Sequence, residues 1–536
     1  MLSWSGVVAP APPDDADEGR PELADVGRLA RRLVSRAVQT ARADEAPVYR
    51  MLRAHLGPGA QDRPVARRNW PRYDQVNVQC GLEAWLATDG REHQLTGLTR
   101  YRHRDFALAD LLQPVSDGSG IGVGSVQLTT QASGPGGRVK GCVQCGVYVV
   151  SDGDERLAML LRGPSDLGTW GSSQVSLEVC ATSGDGAQRA LEEIARLTIE
   201  RNVYRGNVLT FSSEVFGHEE GALLTFQDRP QLDRSRVILP PAVLDGIERH
   251  VLGVARHAAR LAASGQHLRR GLLLYGAPGT GKTHTIRYLL GQLPGSTVII
   301  VSGPALAAIG EACSVARTLE PALIVVEDVD LIAEDRESWH SQGPLLFQLL
   351  NEMDGLGSDA DVTFLLTSNR ADLLEEALAA RPGRVDHAVE LPVPDADARR
   401  RLIELYQGRL VLELGDPDAP VRRTEGVTAS FLKELLRRAA LSAAERDGAQ
   451  PDGPAPAAAG EAAADEAAAD EVAAGLPLRV TDADMTAALD QLLDTRNQLT
   501  QVLLGGAPAR PPRPAGAGPA ARAPEPPQMT ARTPED

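Results

Sequence analysis

The run GAPGTGKT, Gly276 to Thr283, constrains this chain more than any other segment. It satisfies the phosphate-binding pattern G-x-x-x-x-G-K-[ST] in full. GLLLY before it reads as a buried strand, and THTIRYLLGQL after it has helical periodicity. The pattern therefore falls at a strand-to-helix turn, where its chemistry requires it. In such a turn the loop Gly276, Ala277, Pro278, Gly279, Thr280 and Gly281 wraps the phosphates, and all of these but Pro278, which has no N–H, can present a backbone donor. The helix N-terminus, where His284 also falls, adds partial positive charge. Lys282 would reach the β- and γ-phosphate oxygens, and Thr283 would hold Mg²⁺ through its hydroxyl. The chain has only three lysines, Lys140, Lys282 and Lys433, so a glycine-rich turn with a stray lysine is a poor account of the match. A nucleoside triphosphate site is the expectation.

At 536 residues the chain is too long for one core, and two or three domains are expected. A net charge of −17 disfavours nucleic-acid binding through the overall field. No apolar run reaches the ~18–20 residues of a membrane span, and the N-terminus is acidic where a signal peptide would be apolar. A cytoplasmic protein is expected. The scarcity of Lys beside abundant Arg, Ala, Gly and Pro fits a GC-rich genome. Five cysteines suit a reducing compartment. Cys142 and Cys145 form a lone C-x-x-C on a strand, where positions three apart face opposite sides. Buried strand cysteines are one reading; a zinc site with Cys80 and Cys180, the strand bending at Gly141, is the other.

Composition and periodicity divide the chain. Residues 1–69 read as a disordered start and an amphipathic helix (Glu22 to about Leu56) with an arginine-rich face. Residues 70–235 read as a separate α+β domain. Its β-rich runs are VNVQCGLEAWLA, VQLTTQA, VKGCVQCGVYVV, RLAMLLRGP, QVSLEVCATS and YRGNVLTFSS, with one helix, GAQRALEEIARLTIERN. Residues 236–395 alternate apolar strands with helices, the pattern of a parallel sheet covered on both faces. Residues 396–505 read as a helical lid with a flexible acidic insertion at 448–475, and 506–536 as a disordered tail.

The strand ALIVVED ends in Glu327-Asp328, 45 residues after Lys282, and strand ends of this sheet type face the phosphate crevice. One carboxylate would hold Mg²⁺ through water and the other orient the attacking water. DVTFLLTSN places Asn369 at the same crevice, and RPGRVD carries Arg381 and Arg384. Two arginines three apart after a helix suit insertion into a neighbouring subunit's site. Each piece alone has an ordinary structural reading; the order and spacing together argue for the site.

Over about residues 236–500 the chain resembles the AAA ATPases, hexameric protein-remodelling machines. RRGLLLYGAPGTGKT resembles the Walker A segment, LIVVEDVDLI the Walker B segment, and LLTSNR the sensor-1 strand. ARPGRVDHAVELPVPDADARRRLIEL resembles the arginine-finger region, and TEGVTASFLKELLRRAALSA the lid helices, where a turn such as S-G-A-D-L is usual. The resemblance implies a P-loop NTPase α/β sheet with a C-terminal helical lid. It also implies ATP hydrolysis with Mg²⁺ in a homo-oligomeric ring, with Asn369 as sensor and Arg381 and Arg384 completing the neighbour's site. A protein client is implied, and neither nucleic acid nor a membrane span.

Two departures matter. The usual Walker B order is Asp-Glu; here it is Glu-Asp, as in the Bcs1-type branch, with Asp328 expected as the base. Translocases of this clade also carry an aromatic residue in the loop after the second strand, where this chain has Ala308-Ile309-Gly310. Alanine offers little surface to a threaded peptide. The alternatives are a remodelling ring that moves its client through the 70–235 domain, and a nucleotide-gated scaffold with weak hydrolysis.

Overall fold

The computed structural model describes residues 46–101, 106–114, 121–164, 174–212, 223–330, 345–355, 357, 360–370, 385–448 and 477–493. They fall into two compact units, Met1–Asp228 with Gly295–Ala322, and Arg229–Pro294 with Leu323–Asp536. The expected disordered ends, most of the Glu22–Leu56 helix and nearly all of the acidic insertion lie outside the described residues.

The first unit begins with α1 (Pro47–Leu56), β1 (Val65–Trp70), α2 (Gln75–Leu86), β2 (Arg91–Thr99), β3 (Gly122–Gly124), β4 (Gln127–Ala132) and β5 (Val139–Asp152). It continues with β6 (Glu155–Arg162), β7 (Val175–Ala181), α3 (Gly186–Glu200), β8 (Val208–Ser212) and β9 (Leu223–Gln227). The antiparallel sheet runs β1-β7-β6-β5-β2-β3, with β4 on the first half of β5. Val143, Tyr148 and Val150 of β5 pack with Leu82 and Trp85 of α2 and Ile194 of α3. Cys145, Val147 and Val149 pack on the other side with Leu52 and Leu56 of α1. Burial on both faces is why these strands read as near-continuous apolar runs.

The structure corrects one element. VNVQCGLEAWLA is helix α2, not a strand. Its V-N-V-Q alternation imitates a strand, but the polar positions are buried and bonded. Gln79 accepts a bond from the Val143 N–H at 3.0 Å, and Asn77 from the Val203 N–H at 2.9 Å. Cys142, Cys145 and Cys180 are buried thiols, and burial pushes Cys142 and Cys145 up to about 12. Among the described residues, no group of three or more His, Cys, Asp or Glu is arranged to hold a metal.

The chain next forms α4 (Pro241–Glu248) and α5 (Val254–Ala263), joined by a π-helical turn, a helical segment the sequence reading did not anticipate. Then come β10 (Arg270–Tyr275), α6 (Lys282–Gly291), β11 (Thr297–Val301), α7 (Ile309–Thr318), β12 (Ala322–Val326) and α8 (Leu345–Gly355). In the first unit β11 pairs in parallel with β8, which in turn pairs antiparallel with β9. YRGNVLTFSS, read as part of the 70–235 domain, thus shares its ladder with STVIIVSG. The second unit adds β13 (Val362–Ser368) and β14 (His387–Glu390), ordered β14-β10-β13-β12, with β10 parallel to both of its neighbours.

The second unit continues with α9 (Ala396–Gln407), β15 (Val411–Glu413), α10 (Ala419–Arg423), α11 (Ala429–Gly448), β16 (Arg479–Thr481) and α12 (Asp482–Leu493), the segment expected to form a lid. Its core joins Leu402, Phe431, Leu435, Met485 and Leu489. The β15–β16 pair, too short to show periodicity, joins segments on either side of the acidic insertion.

Candidate nucleotide site

Strand β10 delivers the chain into the Gly276–Gly281 loop, and α6 starts at Lys282. The loop's path requires glycine at two points. Gly276 has φ 145°, and a Cβ there would lie 2.5 Å from the Leu391 carbonyl oxygen. Gly279 has φ 80°, and a Cβ there would lie 1.9 Å from Ser430 Oγ. Side chains rarely adopt either conformation, and neither site has room for one. Thr280 is buried and donates through its hydroxyl to the Ala277 carbonyl at 2.9 Å. Thr285 donates to the Gly281 carbonyl at 3.0 Å, bracing the first turn of α6.

Lys282 is 7 % exposed, and its ammonium donates to the carbonyls of Gly276 (2.7 Å) and Ala277 (3.1 Å). Burial lowers its pKa, and Asp328 and Asp330 oppose that shift. A buried cation held on a glycine loop, facing two carboxylates, suits an anionic phosphate chain with a divalent cation. Thr283 is exposed on the first turn of α6, at the open end of the loop. His284 sits beside it, but its ring bonds to the Arg236 carbonyl at 3.0 Å, so the side chain is engaged by the preceding linker.

Glu327 and Asp328 leave the end of β12 half-buried. The Asp328 N–H donates to Thr367 Oγ1 at 3.0 Å, and its Oδ1 accepts from Asn369 Nδ2 at 3.2 Å. The Asn369 N–H in turn donates to Asp330 Oδ1 at 3.2 Å. The structure thus brings Asp328 and Asn369 into one network, held by two residues the sequence reading missed. Asp330 is buried two positions beyond the acidic pair, and the third acid in VEDVD was the available signal. Thr367, inside an apolar strand, gave none. Arg381 and Arg384 lie outside the described residues.

The backbone also accounts for the Glu-Asp order. Asp328 has φ 53°, in the left-handed region. Asp enters that region more readily than Glu because its short polar side chain bonds locally. Asp328→Glu is therefore expected to lower stability by about 1 kcal/mol, in line with the ordinary left-handed penalty. Thermal unfolding checks this; an unchanged or raised Tm would contradict it.

The segment around α11 reaches the same loop. The Ser430 N–H donates to the Gly279 carbonyl at 3.2 Å, and Thr428 and Ser430 exchange a hydroxyl bond at 3.1 Å. The first turn of α11 therefore rests on the glycine loop, at the TAS of TEGVTASFL.

A glycine loop opening a helix, a buried lysine and an acid–asparagine pair at two neighbouring strand ends are the features expected of a nucleoside-triphosphate site. The model of the ATPase family associated with various cellular activities (AAA) matches residues 272–393, which identifies this part of the chain as a AAA ATPase domain. The chain is 32 % identical over 211 residues to the ATP-dependent zinc metalloprotease FtsH 2 of Symbiobacterium thermophilum, covering 37 % of this chain and 36 % of that protein. It is 32 % identical over 215 residues to the human ATPase family gene 2 protein homolog A, covering 38 % of this chain and 24 % of that protein. With the Saccharomyces cerevisiae ATPase family gene 2 protein it shares 27 % identity over 301 residues, covering 51 % of this chain and 38 % of that protein. The chain thus spans well under two thirds of the length of these relatives. No helix among the described residues is long and apolar enough to cross a membrane.

Proposed function

We propose that this chain binds and hydrolyses ATP with Mg²⁺ and acts as a homo-oligomeric ring, a hexamer, in which each subunit completes its neighbour's site. The observation that carries the reading is the Asp328–Asn369–Asp330 network beside the buried Lys282. Lys282 would leave its two carbonyl partners for the β- and γ-phosphate oxygens. Thr283 and Glu327 would hold Mg²⁺, Glu327 through water. When bound, the ion neutralises charge on the phosphate oxygens. Asp328 would take the proton of the attacking water, with its other oxygen fixed by the Asn369 amide. Arg381 and Arg384 would act on the neighbouring subunit's γ-phosphate.

Remodelling of a protein client is the cellular role we propose, in the cytoplasm. Ala308, half-buried at the end of a 3₁₀ turn, favours movement of a bound client over threading. A nucleotide-gated scaffold is the second reading, favoured by the shorter reach of Asp328 compared with Glu. Lys282→Ala is expected to remove measurable ATP binding, because the loop loses its one full positive charge. Calorimetry with a non-hydrolysable ATP analogue checks this, and unaltered affinity would remove the assignment of the loop.

A further inference from the structure

A cavity of about 120 Å³ in the first unit belongs to none of this chemistry. Tyr73, Asp74, Asn202 and Tyr204 line one part of it, and Val315 and Leu319 of the α7 region another. Ser314 and Thr318, also lining, are exposed and form the mouth; Tyr204, Val315 and Leu319 are buried and form the floor. Asp74 directly precedes α2, yet its side chain makes no capping bond to the helix backbone. Its Oδ1 accepts from the Asn77 side-chain amide at 2.8 Å.

The charges around Asp74 do not offset its own. Burial raises its carboxyl to about 6 against the Asn77 hydrogen bond, and among the described residues no arginine or lysine contributes to that shift; Arg205, next to Tyr204, is held on the carbonyls of Glu320 and Thr318. Asp74 in turn raises the Tyr73 and Tyr204 hydroxyls beyond the effect of burial, and Glu311 of α7 adds to that on Tyr73. The Asp74 carboxylate and Glu311 both favour positive charge at this wall. Asp74 is half-buried at the cavity wall, and a bound cation would offset the cost of withdrawing its carboxylate from water.

We propose that this cavity binds a small primary ammonium, with its charge on Asp74 and its methylenes on Val315 and Leu319. The volume suits a short aliphatic amine or the end of a lysine side chain. These two sources share one chemistry, and the test separates them. The site is independent of the ATP reading and can fail or hold without it.

The experiment titrates the full chain with n-butylammonium, with n-butanol as the neutral control, and with Nα-acetyl-lysine amide beside Nα-acetyl-norleucine amide. Saturable binding of the ammonium and not of the alcohol is expected. Binding should weaken about tenfold per pH unit below about 6, as Asp74 protonates. Asp74→Asn should weaken it at least tenfold at pH 7.5 while leaving ATP-analogue affinity unchanged. Ser314→Trp, at the exposed mouth, should block entry without altering the floor. Equal binding of the lysine amide would assign the site to a protein side chain; binding of butylammonium alone would assign it to a free amine. No saturable binding of either ammonium, equal binding of the alcohol, or binding indifferent to both substitutions would overturn the proposal.

Discussion

Asp328→Asn is expected to bind Mg·ATP with near wild-type affinity and to hydrolyse it at least two orders of magnitude more slowly. General-base catalysis contributes roughly 10²–10⁴ in rate, and only the carboxylate form can accept the proton of water. Binding is spared because, on the proposed arrangement, Lys282 and the glycine loop would hold the phosphates without Asp328. The fold is spared too, since an Asn oxygen can still accept from Asn369 Nδ2, as Asp328 Oδ1 does at 3.2 Å. Quench-flow hydrolysis beside equilibrium binding separates the two effects. Normal turnover in Asp328→Asn, with loss in Glu327→Gln, would reverse the roles assigned to the acidic pair.

Arg384→Ala is expected to bind ATP and turn it over poorly if, as proposed, its guanidinium acts on the next subunit's nucleotide. An arginine finger supplied in trans is worth roughly 10³–10⁵ in rate. Mixing gives the decisive readout. An Arg384→Ala chain has an intact glycine loop, and a Lys282→Ala chain has an intact finger. Mixed assemblies should therefore recover activity that neither chain shows alone. Verified mixed rings with no recovery would argue against a shared site.

Much of the candidate site's geometry was legible in the sequence because it is set locally. Eight consecutive residues set the glycine loop, and the ends of two apolar strands placed Asp328 and Asn369 at one crevice. Thr367 was not legible, since its role depends on which strand neighbours β12, and no local pattern encodes that. The bond of the His284 ring to the carbonyl of Arg236, 48 positions earlier, was likewise not legible. The same limit produced the error at α2. There the alternation of Val76, Asn77, Val78 and Gln79 looks like a strand because the partners of the buried amides, Val143 and Val203, lie far along the chain. The ladder of β8 with β11 is likewise a long-range pairing. The Asp74 cavity combines residues near 73, 203 and 315 and left no motif.

The central claim is that the site built on Lys282 and Asp328 hydrolyses ATP and is completed by a neighbouring copy. The most direct measurement is steady-state phosphate release from Mg·ATP by the purified full chain, as the rate per subunit across a wide range of protein concentration. The account predicts a rate that rises cooperatively as assemblies form and then levels, and that Lys282→Ala abolishes at every concentration. A rate per subunit that stays flat from dilute to concentrated protein, or that survives Lys282→Ala, would contradict it.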